Sequence, residues 1–486
     1  MNIEHVEKSY QELESDSTLQ NLIAQANARY ILYNTEESKE NFPRYTIKDE
    51  QLNILAFKYL NIGCNYFSEH NYLKASHSLE KGALILEYIH GSIHIQTKNK
   101  KLFCLISALS YYVCFQYSKA FILIGKLESD TMISSLVSLF LNRKFDQLLS
   151  EIDKLITNSS YGDEYLAEHF EEDNATKIYE IIIAKSLNYY VQFYQTGNKD
   201  FLEIAKKDLV NLQEVAAMRG EPDVWWVIRL LLLIIDGFKE SSLWYVLGNY
   251  FNTEDKLPLK YIQSLVYKNG SITELFLTQR NSLPKVLNNK QGSIVSIPTS
   301  SGKTRIGEIA ILNCLLNEPK AKILFIAPYR SLAYEIENSF DEIFSNLDVS
   351  VSHLYGGSLF SKLDERIIDE SSVIVATPEK AKALFRSNED ILSCIKLVII
   401  DEGHLLGTDK RLIVNEMFYE ELKYHVKANG GRFLLLSAVL PNAEDLSEWL
   451  TDSTDNVYKE NWRPSDERIG IMEWNRSFCE FKLEKH

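Results

Sequence analysis

The sequence lacks a basic surplus. Its 52 lysines and arginines are outnumbered by 67 aspartates and glutamates, for a formal charge of -15. That balance argues against a protein that holds nucleic acid by bulk electrostatics alone, so any phosphate contacts must come from a local groove. Cysteine is sparse as well. Cys64, Cys104, Cys114, Cys314, Cys394 and Cys479 show no CxxC or CxH spacing, so neither a zinc site nor a disulfide framework is indicated, and they read as buried thiols in a reducing compartment. The opening "MNIEHVEKSYQELESDS" has no basic start followed by an apolar run and is not a secretory signal. The most apolar segment, "VWWVIRLLLLIIDGF", is interrupted by Arg229 and too short for a bilayer; it reads as a buried helix. The expectation is a soluble, cytoplasmic protein with no membrane partner.

At 486 residues and 45% hydrophobic, the chain is long enough for more than one core. Its two halves follow different rules. From Met1 to about Gly270, glycine and proline are few and apolar residues recur at three- and four-residue spacing, the helical period. From Ser271, short β-branched runs ("SIVSI", "KILFIAP", "SVIVATP", "IKLVIIDE", "RFLLLSA") alternate with helical segments, as in a parallel sheet with crossover helices. The fold class is thus multidomain: an all-α helical-repeat domain over 1–270, followed by an α/β domain with a mainly parallel sheet over 271–486.

The helical half carries a faint repeat. Tyr59, Ile62, Gly63, Tyr66, Tyr72, Ala75, Leu79 and Gly82 fall where a tetratricopeptide repeat places its large and small packing residues, and Ala108, Tyr111, Tyr117, Ala120 and Ile124 repeat the series. Gly63 and Ala108 lie 45 residues apart, against roughly 34 in regular arrays, and "YIHGSIHIQTKNK" would absorb the difference. A poorer third copy has Ala205 at its small position. The pattern suits either a concave surface for a protein partner or helix pairs that serve only the fold.

In "SIVSIPTSSGKTRIGEIAILNCLL" a strand, a tight loop and a helix follow in order, with Gly-Lys-Thr opening the helix. Backbone N–H groups and the helix dipole there converge on an anion. Thr299, Ser300, Ser301, Gly302, Lys303 and Thr304 would cradle the phosphates of ATP, with Lys303 reaching the β- and γ-phosphates and Thr304 ligating Mg2+. The first glycine of the general pattern is replaced by Ile297. About one hundred residues on, the strand of "KLVIIDEGH" delivers Asp401 and Glu402 to the carboxyl edge of the sheet, where such sheets bind ligands. Asp401 would hold the metal through its water shell, and Glu402 would orient and deprotonate the attacking water.

"PTSSGKT", "DEGH" and "LSAVLPNAEDLSEWL" together resemble motifs I, II and III of the superfamily 2 DExH-box helicases, and most closely the superkiller-type branch. "APYRSLAYE" resembles motif Ia, "YGG" the glycine pair that follows it, "ATPEK" motif Ib, and "ENWRP" the tract leading toward a second lobe. The resemblance implies a RecA-like P-loop domain that binds ATP, Mg2+ and one nucleic-acid strand, DNA or RNA, with Gln279 reading adenine and His404 completing the acidic motif. It also implies sequence-independent backbone contacts from Pro328, Arg330, Ser331, Gly356, Gly357, Thr377 and Pro378. Ser437 and Ala438 would couple the nucleotide to the strand-moving surface, but Val439 stands where the family usually has threonine.

Motors of this family hydrolyse ATP between two lobes, and arginines from the second contribute about 10³ to 10⁵ in rate. Nothing after Trp462 is long enough to be that lobe, so the expectation is a motor completed in cis beyond this chain or in trans, slow by itself. The functional reading is an ATP-dependent helicase or translocase whose helical half recruits or regulates. The alternative is an ATP-binding regulatory or scaffold subunit of a DNA-processing or antiviral defence complex.

Overall fold

The computed structural model describes residues 3–34, 48–92, 98–127, 131–158, 172–354, 366, 368–387, 393–405, 410–463, 469–475 and 478–484. Where the sequence has the helical period it forms α1 (Ile3–Ser15), α2 (Ser17–Asn34), α3 (Asp49–Ser68), α4 (Tyr72–Gly91), α5 (Lys98–Val113), α6 (Tyr117–Gly125), α7 (Met132–Leu141), α8 (Phe145–Asn158), α9 (Glu172–Thr196), α10 (Asp200–Arg219), α11 (Pro222–Ser241) and α12 (Leu243–Gly248). Local chemistry sets several ends. The Asn71 side chain accepts the Lys74 N–H at the start of α4, and Thr131 and Ser134 cap α7 reciprocally. Pro222 opens α11, while Gly220, at a φ of 71°, closes α10. The apolar "VWWVIRLLLLIIDGF" lies within α11, mostly buried. Among the described residues no helix is long and apolar enough to cross a membrane.

Consecutive helices pack along one another: α3 on α4, α4 on α5, α9 on α10 and α10 on α11. The small residues of the sequence pattern lie at the tight approaches. A Cβ on Gly63 would sit 2.5 Å from Leu79 Cγ, and one on Gly82 2.7 Å from the Leu60 side chain. Ala75, Ala108, Ala120 and Ala205 are fully buried, as are the rings of Tyr59, Tyr66, Tyr111 and Tyr117. Helix packing accounts for these residues.

The chain divides into two units. The first comprises Met1–Asn249 and Leu265–Glu274; the second, Tyr250–Ser264 and Leu275–His486. Glu274 anchors the end of the first unit. Its buried carboxylate accepts from the hydroxyls of Tyr112, Tyr117 (3.1 Å) and Ser241 (2.8 Å), with the Arg143 guanidinium 3.4 Å away. A buried charge is tolerable only when paired and hydrogen-bonded in this way.

In the second unit, α13 (Lys256–Val266) begins and α14 (Leu277–Leu287) precedes the sheet. Then follow β1 (Gly292–Ser296), α15 (Lys303–Asn317), β2 (Lys322–Ile326), α16 (Arg330–Phe344), β3 (Val351–Leu354), β4 (Val373–Ala376), α17 (Pro378–Ser387), β5 (Ile395–Ile400), α18 (Lys410–Ala428), β6 (Arg432–Ser437), α19 (Ala443–Thr451) and β7 (Val457–Lys459). The strands run in the order β3-β4-β2-β5-β6-β1-β7, and every pairing is parallel. Helices on both faces explain why the strands read as unbroken apolar runs rather than alternating ones. On one face, Phe385, Phe418, Tyr419, Leu422 and Leu450 close over Leu324, Ile374, Val398 and Leu435. The strand β8 (Ile469–Asn475) pairs antiparallel with β9 (Phe478–Glu484), a hairpin that the sequence pattern does not announce.

The segment Tyr250–Ser264, which follows the helical period of the first half, packs in the second unit through hydrogen bonds and ion pairs of its own. The Tyr261 hydroxyl donates to Glu308 of α15 (3.1 Å), Glu308 also pairs with Arg305, and Lys256 and Lys260 each reach Asp348 at 3.0 Å.

Gly63→Ala should lower stability by about 1–3 kcal/mol through overpacking against Leu79. Gly125→Ala, where an added Cβ meets nothing within 4 Å, should be neutral or slightly stabilising. Urea unfolding of the two variants checks this.

Candidate nucleotide site

The strand order brings three loop-bearing edges side by side. β1 lies beside β6, and β6 beside β5, so the loop after β1, the acidic turn after β5 and the serine at the end of β6 open on one carboxyl edge. That is where an open parallel sheet binds ligands.

The loop after β1 is shaped by backbone conformations that few residues adopt. Ser300 has a φ of 66° and Gly302 one of 73°, so the chain turns through the left-handed region twice before α15 starts at Lys303. Only glycine fits at 302, since a Cβ there would lie 2.1 Å from Gln279 Nε2. Thr299 and Ser300 are exposed, while Ser301 is fully buried with its Oγ lacking any hydrogen-bond partner. An orphaned buried hydroxyl beside a helix N-terminus fits a phosphate, which would supply the missing acceptor.

Gln279 sits under this loop. Its Nε2 donates to the Gly302 carbonyl (3.0 Å) and its Oε1 accepts the Phe276 N–H (2.9 Å). Its amide thus braces the loop from below, and the Phe276 ring lies 6.2 Å from that of Trp462.

Across the edge, Asp401 follows β5 and Glu402 turns away with a φ of 52°, a left-handed conformation rare for glutamate. Lys303 Nζ stands 3.7 Å from Glu402 Oε2, and His404 Nδ1 3.2 Å from the same oxygen. The Ser437 hydroxyl is 3.5 Å from His404 Nδ1, so the end of β6 touches the acidic turn. The Asp401 carboxyl accepts the Glu402 N–H (2.9 Å) yet is buried, and burial followed by the Glu402 charge pushes its pKa up to about 6, with Lys303 opposing. A buried carboxylate kept against its preference is a donor suited to a divalent cation; Thr304, half-buried on the first turn of α15, could serve beside it as a second oxygen donor.

Ser296 is a residue that the sequence did not single out. Its Oγ accepts the Leu440 N–H (2.8 Å) and donates to the Ala438 carbonyl (3.3 Å), stitching the end of β1 to the stretch after β6. Nothing in a strand serine signals this. Ala438 is thus held by its carbonyl, and Val439 next to it is 51% exposed.

The expected strand-contacting residues are spread along the neighbouring edge. Pro328 and Pro378 line a cavity of about 40 Å³ together with Tyr329, Asp401, Glu402 and Gly403. Arg330 and Ser331 are exposed on the first turn of α16. Thr377 is buried, its carbonyl accepting the Ala381 N–H at the start of α17. Gly356 and Gly357 lie outside the described residues.

The raised pKa of Asp401 has a sign that can be tested. Ionising it costs the folded state more than the unfolded one; the cost is absent near pH 4, grows as pH rises through about 6, and is full above that. In nucleotide- and metal-free protein, Asp401→Asn should therefore add about 3 kcal/mol of stability at pH 8, a gain that shrinks as pH falls through 6. Urea titrations at several pH values measure it.

Residues 277–446 match the DEAD/DEAH box helicase family. The whole chain is 40% identical to the Hachiman protein HamB of Bacillus cereus, spanning 43% of that protein's length. The DNA helicase Hel308 of Thermococcus kodakarensis is 32% identical over 46% of this chain and 19% of its own length. The DNA helicase MER3 of Saccharomyces cerevisiae is 34% identical over 44% and 17%. The chain therefore spans less than half the length of each of these relatives. The stretch 277–446 of the second unit is thus similar to the DEAD/DEAH box helicases, a family that uses ATP with Mg2+.

Proposed function

We propose that the chain is the ATP-binding part of a nucleic-acid helicase or translocase, and that its setting is antiviral defence. The observation that carries the motor reading is the meeting of Lys303 and Glu402, 3.7 Å apart, from the loops after β1 and β5, the two strands that flank β6. The setting is supported by the 40% identity to Hachiman protein HamB across the full chain.

In this reading Thr299 to Thr304 wrap the phosphates with backbone N–H groups, and Lys303 neutralises charge on the terminal phosphate. Bound ATP with Mg2+ supplies the phosphoryl group and the charge that polarises it. Thr304 and Asp401 hold the metal, and Glu402 takes the proton from the attacking water. His404, in reach of both Glu402 and Ser437, relays the state of that carboxylate to the end of β6 and, through Ala438 and Ser296, back to β1. Pro328, Arg330, Ser331, Thr377 and Pro378 form the edge that tracks a strand's backbone, together with Gly356 and Gly357. The first unit, with its tetratricopeptide-like helix pairs, holds a protein partner. A second motor lobe, in cis or in trans, completes catalysis.

Lys303→Ala should abolish tight ATP binding at the loop after β1. Glu402→Gln should leave binding intact and lower hydrolysis on the order of 10²- to 10⁴-fold. Titration with a fluorescent ATP analogue and a phosphate-release assay, with and without single-stranded DNA or RNA, separate the two effects. Unchanged nucleotide affinity in Lys303→Ala would remove the motor reading.

A further inference from the structure

The first unit contains a cavity of about 260 Å³ that belongs to no motif of the motor lobe. It lies among α2, α4, α5 and the end of α6, and its wall is cationic: Lys100 and Lys101 from the first turn of α5, and Lys126 just past α6. Among the described residues lining it there is one carboxylate, Glu87, which accepts the hydroxyls of Tyr30 and Tyr111, each at 3.2 Å.

A second observation points to a ligand. His90, on the last turn of α4, lines the same cavity, is 93% buried, and its Nε2 has no hydrogen-bond partner. An unmatched buried ring nitrogen costs about 1–3 kcal/mol, a cost a native fold rarely carries at a site that stays without a partner. Burial, then the charges of Lys100 and Lys126, hold its pKa down to about 4. The lysine field therefore reaches the ring, and the ring is neutral at physiological pH, able to donate one N–H to an anion.

We propose that this cavity binds a phosphate monoester, with His90 donating from its ring, Lys100 and Lys126 neutralising the charge, and the half-buried ring of Tyr30 forming the apolar wall against which the rest of the ligand lies. The volume suits a single nucleotide or the phosphorylated end of a strand rather than a length of either nucleic acid or peptide. A dianion suits the site better than a carboxylate because more than one cation lines it, and charge-assisted hydrogen bonds to such a group are the strong ones. Such a site would give the helical unit its own ligand, independent of the phosphate loop.

The test uses the full chain carrying Lys303→Ala, so that the loop after β1 does not contribute, titrated calorimetrically with AMP, with inorganic phosphate, with a 5′-phosphorylated dinucleotide and with adenosine. AMP should bind and adenosine should not. Adding Lys126→Ala, an exposed position whose loss leaves the fold intact, should weaken AMP at least about tenfold, and Lys100→Ala with Lys126→Ala should abolish it. The comparison of AMP with the dinucleotide identifies which source of the phosphate fits better. His90→Phe, which keeps the packed ring and removes the donor, should also weaken AMP while leaving the melting temperature unchanged or raised. No AMP binding in the Lys303→Ala chain, equal binding of adenosine, or affinity indifferent to Lys126 overturns the proposal. Because the phosphate loop is silenced throughout, these results stand apart from the fate of the motor reading.

Discussion

The second unit depends on an electrostatic arrangement that its fold does not prefer by itself. Two adjacent acids, Asp401 and Glu402, are delivered by a buried strand to a place where one is desolvated and the other is turned into the left-handed region. Among the described residues, Lys303, 3.7 Å from Glu402, is the cation that faces them across the edge. Such an arrangement is under-compensated, and under-compensation of this kind is what a divalent metal and a polyphosphate relieve together. The all-parallel sheet, the glycine at 302 and the bracing by Gln279 can all be understood as fixing the distance between the two carriers of opposite charge.

The sheet was legible because its strands are covered on both faces. "KILFI", "VIVA", "LVII" and "FLLLS" have no polar alternation to confuse with a helix, and each falls within an observed strand. The strand–loop–helix around Lys303 and the acidic turn after β5 were legible as structure because their pattern is local: a tight loop opening a helix with a lysine, two carboxylates at a strand end. Other features were not. Gln279 lies 23 residues before Gly302, and its bracing role becomes visible only when α14 packs under the loop. Ser296 stitches to residues 142 and 144 positions away, a contact that no local pattern encodes.

The helical half shows the same division. Small residues at tetratricopeptide-like spacing did mark the tight approaches, because a glycine facing Leu79 leaves a trace in the local pattern. The Glu274 cluster left none. It joins Tyr112, Tyr117, Arg143 and Ser241 to a glutamate at least 33 residues away from any of them. Nor did the helical period reveal that Tyr250–Ser264 packs in the second unit; Tyr261 and Glu308, which decide that, look like ordinary surface-period residues in sequence. Periodicity reports which face of a helix is buried, not which partner buries it.

The central claim is that Lys303, Thr304, Asp401 and Glu402 form one ATP and Mg2+ site. The most direct measurement is a crystal structure of the chain with Mg2+ and a non-hydrolysable ATP analogue. The account predicts the terminal phosphate within hydrogen-bonding reach of Lys303 Nζ, a Ser301 Oγ that has gained a partner, and the metal between Thr304 and Asp401 with Glu402 facing the terminal phosphate. A nucleotide bound elsewhere, or phosphates that leave Lys303 paired to Glu402 as before, would contradict it.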